Sequence, residues 1–466
     1  MPDLGDLGVV ETARLTTSGE RSAREVTDEA LARIDRLDRR FNAFTVVLAD
    51  AARTEADERD AASARGGTPG PLHGVPVAIK EEIDVAGCVT TFGGRSNSTP
   101  VTADAELVRR LRAAGAVVVG KTAMPEFGSF PFTESEATGY TLNPWDLARS
   151  PGGSSGGSAV AVATGMVPVA IGGDGGGSIR VPSSFCGLYG LKPQRGRVST
   201  APHPHLWWAL GAVGPLTRSV ADSALVNDVI RGNLSTDLFR AHGDEPFVGA
   251  ASREPGRLRV GWSLAVPSLG LRLDPVHAAA VRDTARLLAD LGHDVREVDL
   301  RYPDPSLAFV PQFFAGIRTE ADEVEHYDRL ERRTRQTYRM GAWVSPRVRD
   351  RALRRTEAYS AKLNRVFAGA DGLDVLLSPV TAHRPPRLGV VMGKGTVRSS
   401  LASLPTVTYM VPWNVAGNPA ASVPCGIADD GLPVAVQVVG RTDDEATVLS
   451  LSAQLERARP FPRWTA

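Results

Sequence analysis

The sequence predicts an α/β protein built on a mixed, partly parallel β-sheet. Three observations carry this expectation. Helix-like and strand-like patterns alternate along the whole chain, as layered sheet-and-helix folds require. The runs Val75–Ile79 and Ala116–Val119 are apolar throughout, the pattern of strands covered on both faces. Residues 257–300 give strand, helix and strand in succession, which reads as a βαβ unit.

The chain has 466 residues, 42% of them hydrophobic, enough for a large buried core. No Ser/Gly or Pro linker, charge block or repeat divides it. It reads as one domain over 1–466, with a variable, mostly helical substrate-side insertion at about 301–400. Fifty-three basic and fifty-three acidic residues cancel, and nothing in the composition suggests an electrostatic surface for nucleic acid or acidic lipid. Cys88, Cys186 and Cys425 lie far apart, and no Cys or His pair has metal-ligand spacing. Free thiols in a reducing compartment, and no metal, are expected. The stretch MPDLGDLGVVETARL lacks the basic and apolar regions of a signal peptide, and the most apolar run, Ala159–Ile171, is too short to span a bilayer. A soluble, cytoplasmic protein is the expectation.

Residues 20–65 carry a helical pattern. Ser22-Ala-Arg-Glu25 fits a capping box, and Val26, Ala30, Leu31, Ile34 and Leu37 share one face. A second helix, Leu48–Arg65, ends at Gly66–Gly70. Strand Val75–Ile79 follows, with Lys80 at its end. A lysine there is ordinarily a surface residue just past a strand. One desolvated at the end of a core strand gives up its proton more easily and can act as a base. Residues 104–114 form an amphipathic helix stopped by Gly115, and strand Ala116–Val119 comes next. Gly120-Lys-Thr122 lacks the earlier glycine of a phosphate-binding loop and is not read as one. Asn143-Pro-Trp145 turns the chain into Arg149–Pro182, where two Gly/Ser clusters flank a small apolar segment. Downstream, Val220–Ile230 reads as a helix, Arg257–Leu264 as a strand, Pro275–Leu291 as a helix and Asp294–Leu300 as a strand. Residues 303–370 are mostly helical, and their many arginines alternate with acids, as on a solvated face. Val375–Pro379, Ala421–Pro424 and Pro433–Val439 are late strands, and Asp443–Arg457 is a closing helix.

The chemistry concentrates in Arg149–Pro182. Glycine lets a backbone approach a ligand closely but costs chain entropy. A chain that bears this cost twice in one stretch aims backbone N–H groups at something. Ser178 follows three glycines in Asp174-Gly-Gly-Gly-Ser-Ile-Arg180. There its hydroxyl and the neighbouring N–H groups can converge, as in an oxyanion hole. A serine nucleophile needs a base. The eight histidines offer no Ser–His signature, and Arg180 stands where a G-x-S-x-G elbow needs glycine. A Ser–Lys arrangement is the better candidate, with Ser154 relaying the proton.

At these residues the chain resembles the amidase signature family. The matching segments are Gly74–Lys80, Gly120–Glu126, Asn143–Trp145, Ser150–Ser158, Asp174–Arg180, Gly187–Pro193, Trp413–Pro419 and Gly431–Pro433. The likeness covers nearly the whole chain and is weakest between 231 and 370. It implies a central mixed β-sheet covered by helices on both faces. It also implies a Ser-Ser-Lys triad, with Ser178 as nucleophile, Ser154 as bridging serine after a cis Gly153–Ser154 bond, and Lys80 as base. Backbone N–H groups of Gly175, Gly176, Gly177 and Ser178 would form the oxyanion hole, and no cofactor is needed. Ser155 and Ser158 are expected to bond only within the loop. Gly173-Asp-Gly-Gly-Gly-Ser departs from the family's usual Thr-Asp-Thr/Ile-Gly-Gly-Ser, and glycines at 173 and 175 predict a less steady loop. Glu81 stands where an acid, usually Asp, follows the lysine.

Glutamine-handling members bind their substrate's charged ends with acid and Arg residues after Lys192-Pro193; here that region offers His203, His205, Trp207 and Trp208. The tryptophans, together with Phe127 and Gly128, are expected to contact substrate, with Phe309, Phe313, Phe314 and Trp343 adding to the wall. The expectation is hydrolysis of aryl or apolar amides, with carbamates (urethanes) chemically close, as in aryl and acyl amidases and urethanase-type members. The partner is then a small-molecule substrate, with no nucleic acid and no membrane, and a homodimer is compatible. Two alternatives stand: the glutaminase (A) subunit of a tRNA-dependent amidotransferase, and an inactive amide-binding protein.

Overall fold

The structure, a computed structural model, describes residues 3–465. Its strands in chain order are β1 Phe44–Val47, β2 Pro76–Lys80, β3 Val117–Thr122, β4 Glu134–Ser135, β5 Gly139–Tyr140, β6 Val169–Gly173, β7 Tyr189–Lys192, β8 Val213–Thr217, β9 Arg259–Trp262, β10 Asp294–Glu297, β11 Val375–Pro379, β12 Ala420–Ile427 and β13 Pro433–Gly440. β4 and β5 pair only with each other. The other eleven form one sheet in the order β1-β3-β2-β6-β8-β7-β12-β13-β11-β9-β10. β3, β2 and β6 run parallel, as do β11, β9 and β10; the remaining neighbours are antiparallel. The sheet is therefore mixed, as the sequence predicts, and residues 257–300 form the expected βαβ unit.

Strand periodicity of two divides the core between the faces. Ala78, Val117, Val119 and Ala170 pack under helices Ala23–Phe41 and Gly156–Ala163. Their chain neighbours Val77, Ile79, Val118, Val169 and Ile171 pack on the other face, under Glu106–Ala113 and Val220–Ile230. The second half repeats the arrangement. Val375 and Leu377 meet helices Pro275–Asp290 and Glu445–Ala458, while Leu376 and Val439 meet Ser306–Glu323 and Pro346–Leu363. Burial on both faces explains the continuous apolar runs. No helix among the described residues is long and apolar enough to cross a membrane.

The capping box forms: Ser22 accepts from the Glu25 N–H, and Glu25 accepts from the Ser22 N–H at 2.8 Å. The helical reading of residues 20–65 is interrupted, however. Asn42, at φ 54°, ends the first helix in the left-handed conformation, and edge strand β1 follows. The site is placed by β2 and β6. They are parallel neighbours, so Lys80, the last residue of β2, and the loop after Gly173, the last of β6, leave the sheet at one edge. Ligand sites of parallel sheets lie at that end of the strands.

Candidate active site

Lys80 is 1% exposed, and its Nζ donates to Ser154 Oγ at 2.7 Å. The Gly153–Ser154 peptide bond is cis, as the resemblance implies. Ser154 precedes helix Gly156–Ala163, and Ser178 precedes helix Arg180–Cys186. Two hydrogen bonds bind the clusters together: Ser155 N–H to the Ser178 carbonyl at 3.3 Å, and Ser155 Oγ to the Gly173 carbonyl at 3.2 Å. Ser158 bonds Thr122 on β3 and the Ile171 carbonyl on β6, so the side-chain bonds of Ser155 and Ser158 reach the neighbouring strands instead of staying within the loop as expected. Lys80, Ser154 and Ser178 all face one cavity. The Ser154 and Ser178 hydroxyls form no hydrogen bond with each other among the described residues. Such contacts are often loose before substrate arrives.

Asp174 organises the loop between β6 and Ser178. Its carboxylate accepts from the N–H of Gly177 at 2.8 Å and of Ile179 at 3.2 Å, from two nitrogens of Arg180 at 2.9 Å, and from Asn414 at 2.8 Å. Burial opposes its ionisation, but Arg180 and Asn414 outweigh burial and hold the carboxyl well below the usual carboxylate range. This corrects one expectation. The Gly177 N–H is taken by Asp174, and Gly177 does not line the cavity, whereas Gly175, Gly176 and Ser178 do. The N–H groups of Gly175, Gly176 and Ser178, which line the cavity, have no hydrogen-bond partner among the described residues.

The two unusual glycines do not leave the loop slack. A Cβ on Gly173 would lie 2.2 Å from Glu82 Oε1, and one on Gly175 would lie 3.1 Å from the Trp207 ring. Their missing side chains are replaced by a carboxylate and an indole. Glu81 is a structural acid: it contacts Lys121 at 3.3 Å and accepts from Thr45 and Thr91. The acid beside the lysine is Glu82, with Oε1 3.0 Å from Lys80 Nζ.

The cavity holds about 1020 Å³ and its walls are mostly apolar. Gly128 and Trp207 line it, as do Phe309, Phe313 and Phe314 on helix Ser306–Glu323. Trp207 stands edge-on to Phe313 and donates its Nε1–H to Glu320 at 2.7 Å. Three expected contacts fail. The Phe127 side chain packs in the core against Phe92. Trp208 turns away, stacked on the His205 ring at 4.1 Å and under the Arg349 guanidinium at 4.2 Å. Trp343 is 53% exposed and outside the cavity. Behind Trp207 lies a second cavity of about 160 Å³, touched by Glu82, His203, His205, Glu320 and Glu323. Burial brings His205 down to about 4. Neither histidine reaches the main cavity.

The family model described as Amidase matches residues 25–449. The chain belongs to the amidase signature family. It is 48% identical over 464 residues to the Mycobacterium tuberculosis (strain ATCC 25618 / H37Rv) protein named "Putative amidase AmiB2", covering 98% of this chain and 97% of that one. It is 37% identical over 475 residues to the 6-aminohexanoate-cyclic-dimer hydrolase of Paenarthrobacter ureafaciens, covering 96% and 94%. A solved structure of 6-aminohexanoate cyclic dimer hydrolase superposes with a TM-score of 0.93 at 33% identity, over 100% of this chain and 99% of that one. A bacterial aryl acylamidase of the same family superposes at 0.87 with 27% identity, over 97% and 96%. The protein is thus a hydrolase acting on C–N amide bonds.

Sequence reasoning missed Glu82 and Glu320 in this amidase. A signal for Glu82 was present in the paired acids after Lys80, but which acid turns toward the lysine depends on the turn after β2. Glu320 reaches Trp207 from 113 residues away, and nothing local announces it.

Proposed function

We propose that this amidase cleaves aryl or apolar amides, and carbamates of similar shape, through an acyl-enzyme on Ser178. The observation that carries the reading is the 2.7 Å Lys80–Ser154 hydrogen bond at the wall of the apolar cavity that also holds Ser178. Uncharged Lys80 takes the Ser154 proton as Ser154 takes that of Ser178, and Ser178 Oγ bonds to the carbonyl carbon. The oxyanion meets the N–H groups of Gly175, Gly176 and Ser178. The proton returns through Ser154 to the leaving nitrogen, since an unprotonated amine leaves poorly. Water then attacks the acyl carbon and frees Ser178.

The lining supports an apolar substrate over glutamine. The charged residues at the main cavity are Lys80, Glu82, Arg301 and Asp304, and the Arg301 side chain is 89% exposed at the rim. A free amino acid needs a buried partner for its carboxylate, and the one basic side chain deep in this cavity, Lys80, is already engaged with Ser154. The relative named for a cyclic dimer adds cyclic amides to the range worth testing. A panel of anilides, aliphatic amides, cyclic amides, aryl carbamates and glutamine, read by released amine, tests the reading. Turnover of anilides or aryl carbamates well above glutamine is expected. Ammonia release from glutamine as the fastest reaction would overturn it.

A further inference from the structure

Lys80 has two close neighbours, and the relay uses only one. Glu82 Oε1 lies 3.0 Å from Lys80 Nζ. The angles are not those of a hydrogen bond, and that oxygen has no other partner among the described residues, so the contact is an electrostatic one. The place for it is built. Gly173 leaves the space that Oε1 occupies, and a Cβ on Gly128 would lie 3.4 Å from Oε2 and 3.0 Å from Ser154 Oγ. The Lys80 and Glu82 side chains are 1% and 11% exposed, so water screens their attraction weakly.

We infer that Glu82 is a positioning residue for acylation: its carboxylate stabilises the ammonium that forms on Lys80, and so sets the pH at which Lys80 works as the base. The inference rests on Lys80 being the base in the function proposed above. As Ser178 Oγ bonds to the carbonyl carbon, its proton goes to Ser154 Oγ and the Ser154 proton to the Lys80 lone pair. Positive charge appears on Nζ, 3.0 Å from Glu82. Glu82 neither gains nor loses a proton, and the ammonium later returns its proton through Ser154 to the leaving nitrogen.

The other charged groups around this pair do not cancel its effect. Glu320 and Glu323 approach from helix Ser306–Glu323, and Asp84, His203 and His205 touch the same small cavity. Burial, reinforced by the charge of Glu82, pushes the Glu320 carboxyl well above the usual range. On the adjoining strand Lys121 is paired with Glu81, and on the serine loop Arg180 is paired with Asp174.

Glu82 has two opposed effects. Its charge favours proton transfer to Lys80 during acylation, and it disfavours the uncharged amine from which that transfer starts. The test is the pH profile of kcat/KM on a chromogenic anilide for wild type, Glu82→Gln, Glu82→Asp and Gly173→Ala. In Glu82→Gln the acidic limb is expected to move to lower pH, and the plateau to fall about tenfold. Glu82→Asp, which keeps the charge, restores most of the shift. Gly173→Ala, which displaces the carboxylate without removing it, moves the limb the same way as Glu82→Gln and keeps the test alive if that variant does not fold. A limb that stays in place in Glu82→Gln or Gly173→Ala, whatever the plateau does, overturns the inference. Lys80→Ala, measured alongside, separates the two claims: full acylation without Lys80 defeats the base assignment itself, whereas an inert Lys80→Ala with an unmoved Glu82→Gln limb defeats only the role of Glu82.

Discussion

Gly173 shows how an absent side chain can be part of a site. The sequence suggests a loosened loop there, but the space is filled by the Glu82 carboxylate. Gly173→Ala therefore clashes with a charged group next to the base. It is expected to cost about 1–3 kcal/mol in stability, as overpacking does, on top of its effect on the pH profile. Denaturant unfolding of the variant against wild type measures this. Lys80→Ala removes the amine that Ser154 contacts and is expected to lower kcat about 10²–10⁴-fold with the fold intact. Steady-state kinetics with circular dichroism as a control decide it. At this scale the sequence is most legible where function is local. Lys80, Ser154 and Ser178 stand in short motifs. Partners set by distant loops, such as Glu82 opposite Gly173 or Glu320 opposite Trp207, leave no local pattern.

Between elements, two joints hold the site. The first is Arg180, fully buried at the start of its helix. Besides Asp174 it donates to Gln437 on β13 at 2.7 Å and to Asn414 in helix Val411–Ala416 at 2.6 Å. It thus ties the serine loop to the second half of the sheet. Arg180→Met leaves Asp174 buried without its counter-charge and is expected to destabilise the protein by about 3–5 kcal/mol, read from the denaturation midpoint. The second joint is Trp207, which separates the main cavity from the smaller one behind it. Trp207→Ala merges the two. Its kcat/KM is expected to rise about tenfold for bulky acyl groups relative to acetanilide, and competition between the two substrates checks this. Some strands of the sheet were not foreseen, for physical reasons. β8 carries Gly214 and Pro215, residues that argue against a central strand. Edge strand β1, four residues long, hides between two strong helical patterns. The capping box, the βαβ unit and the apolar runs of β2 and β3 were legible because each is a local pattern with one structural solution.

Across the whole molecule, the helical layer over the cavity is joined to the sheet side by Glu126. Its carboxyl accepts the Glu331 N–H at 2.9 Å, just before helix Arg332–Met340, and its other oxygen has no hydrogen-bond partner among the described residues. Burial, aided by the charge of Glu331, raises this carboxyl from its ordinary 4.5 to about 7. Its protonated form therefore favours the fold. That stability is fully present below pH 4.5 and is lost as pH rises through about 7, with a limit of about 3 kcal/mol. Glu126→Gln, neutral at every pH, is expected to be more stable than wild type at pH 8 and to lose that advantage near pH 5. Thermal unfolding at both values tests it, and an advantage equal at the two pH values would contradict it. The molecule-wide fold class was legible because alternating helices and buried strands admit few arrangements. The cavity's contents were not, since they come from segments up to hundreds of residues apart.

The central claim is that Ser178 is acylated with Lys80 as its base, and labelling tests it most directly. Wild type, Ser178→Ala, Ser154→Ala and Lys80→Ala are exposed to a fluorophosphonate probe, and the adduct is located by peptide mass spectrometry. One adduct is expected, on Ser178, formed rapidly in wild type, absent in Ser178→Ala and slowed at least about a hundredfold in the other two. An adduct on another residue, or labelling of Lys80→Ala at the wild-type rate, would contradict it.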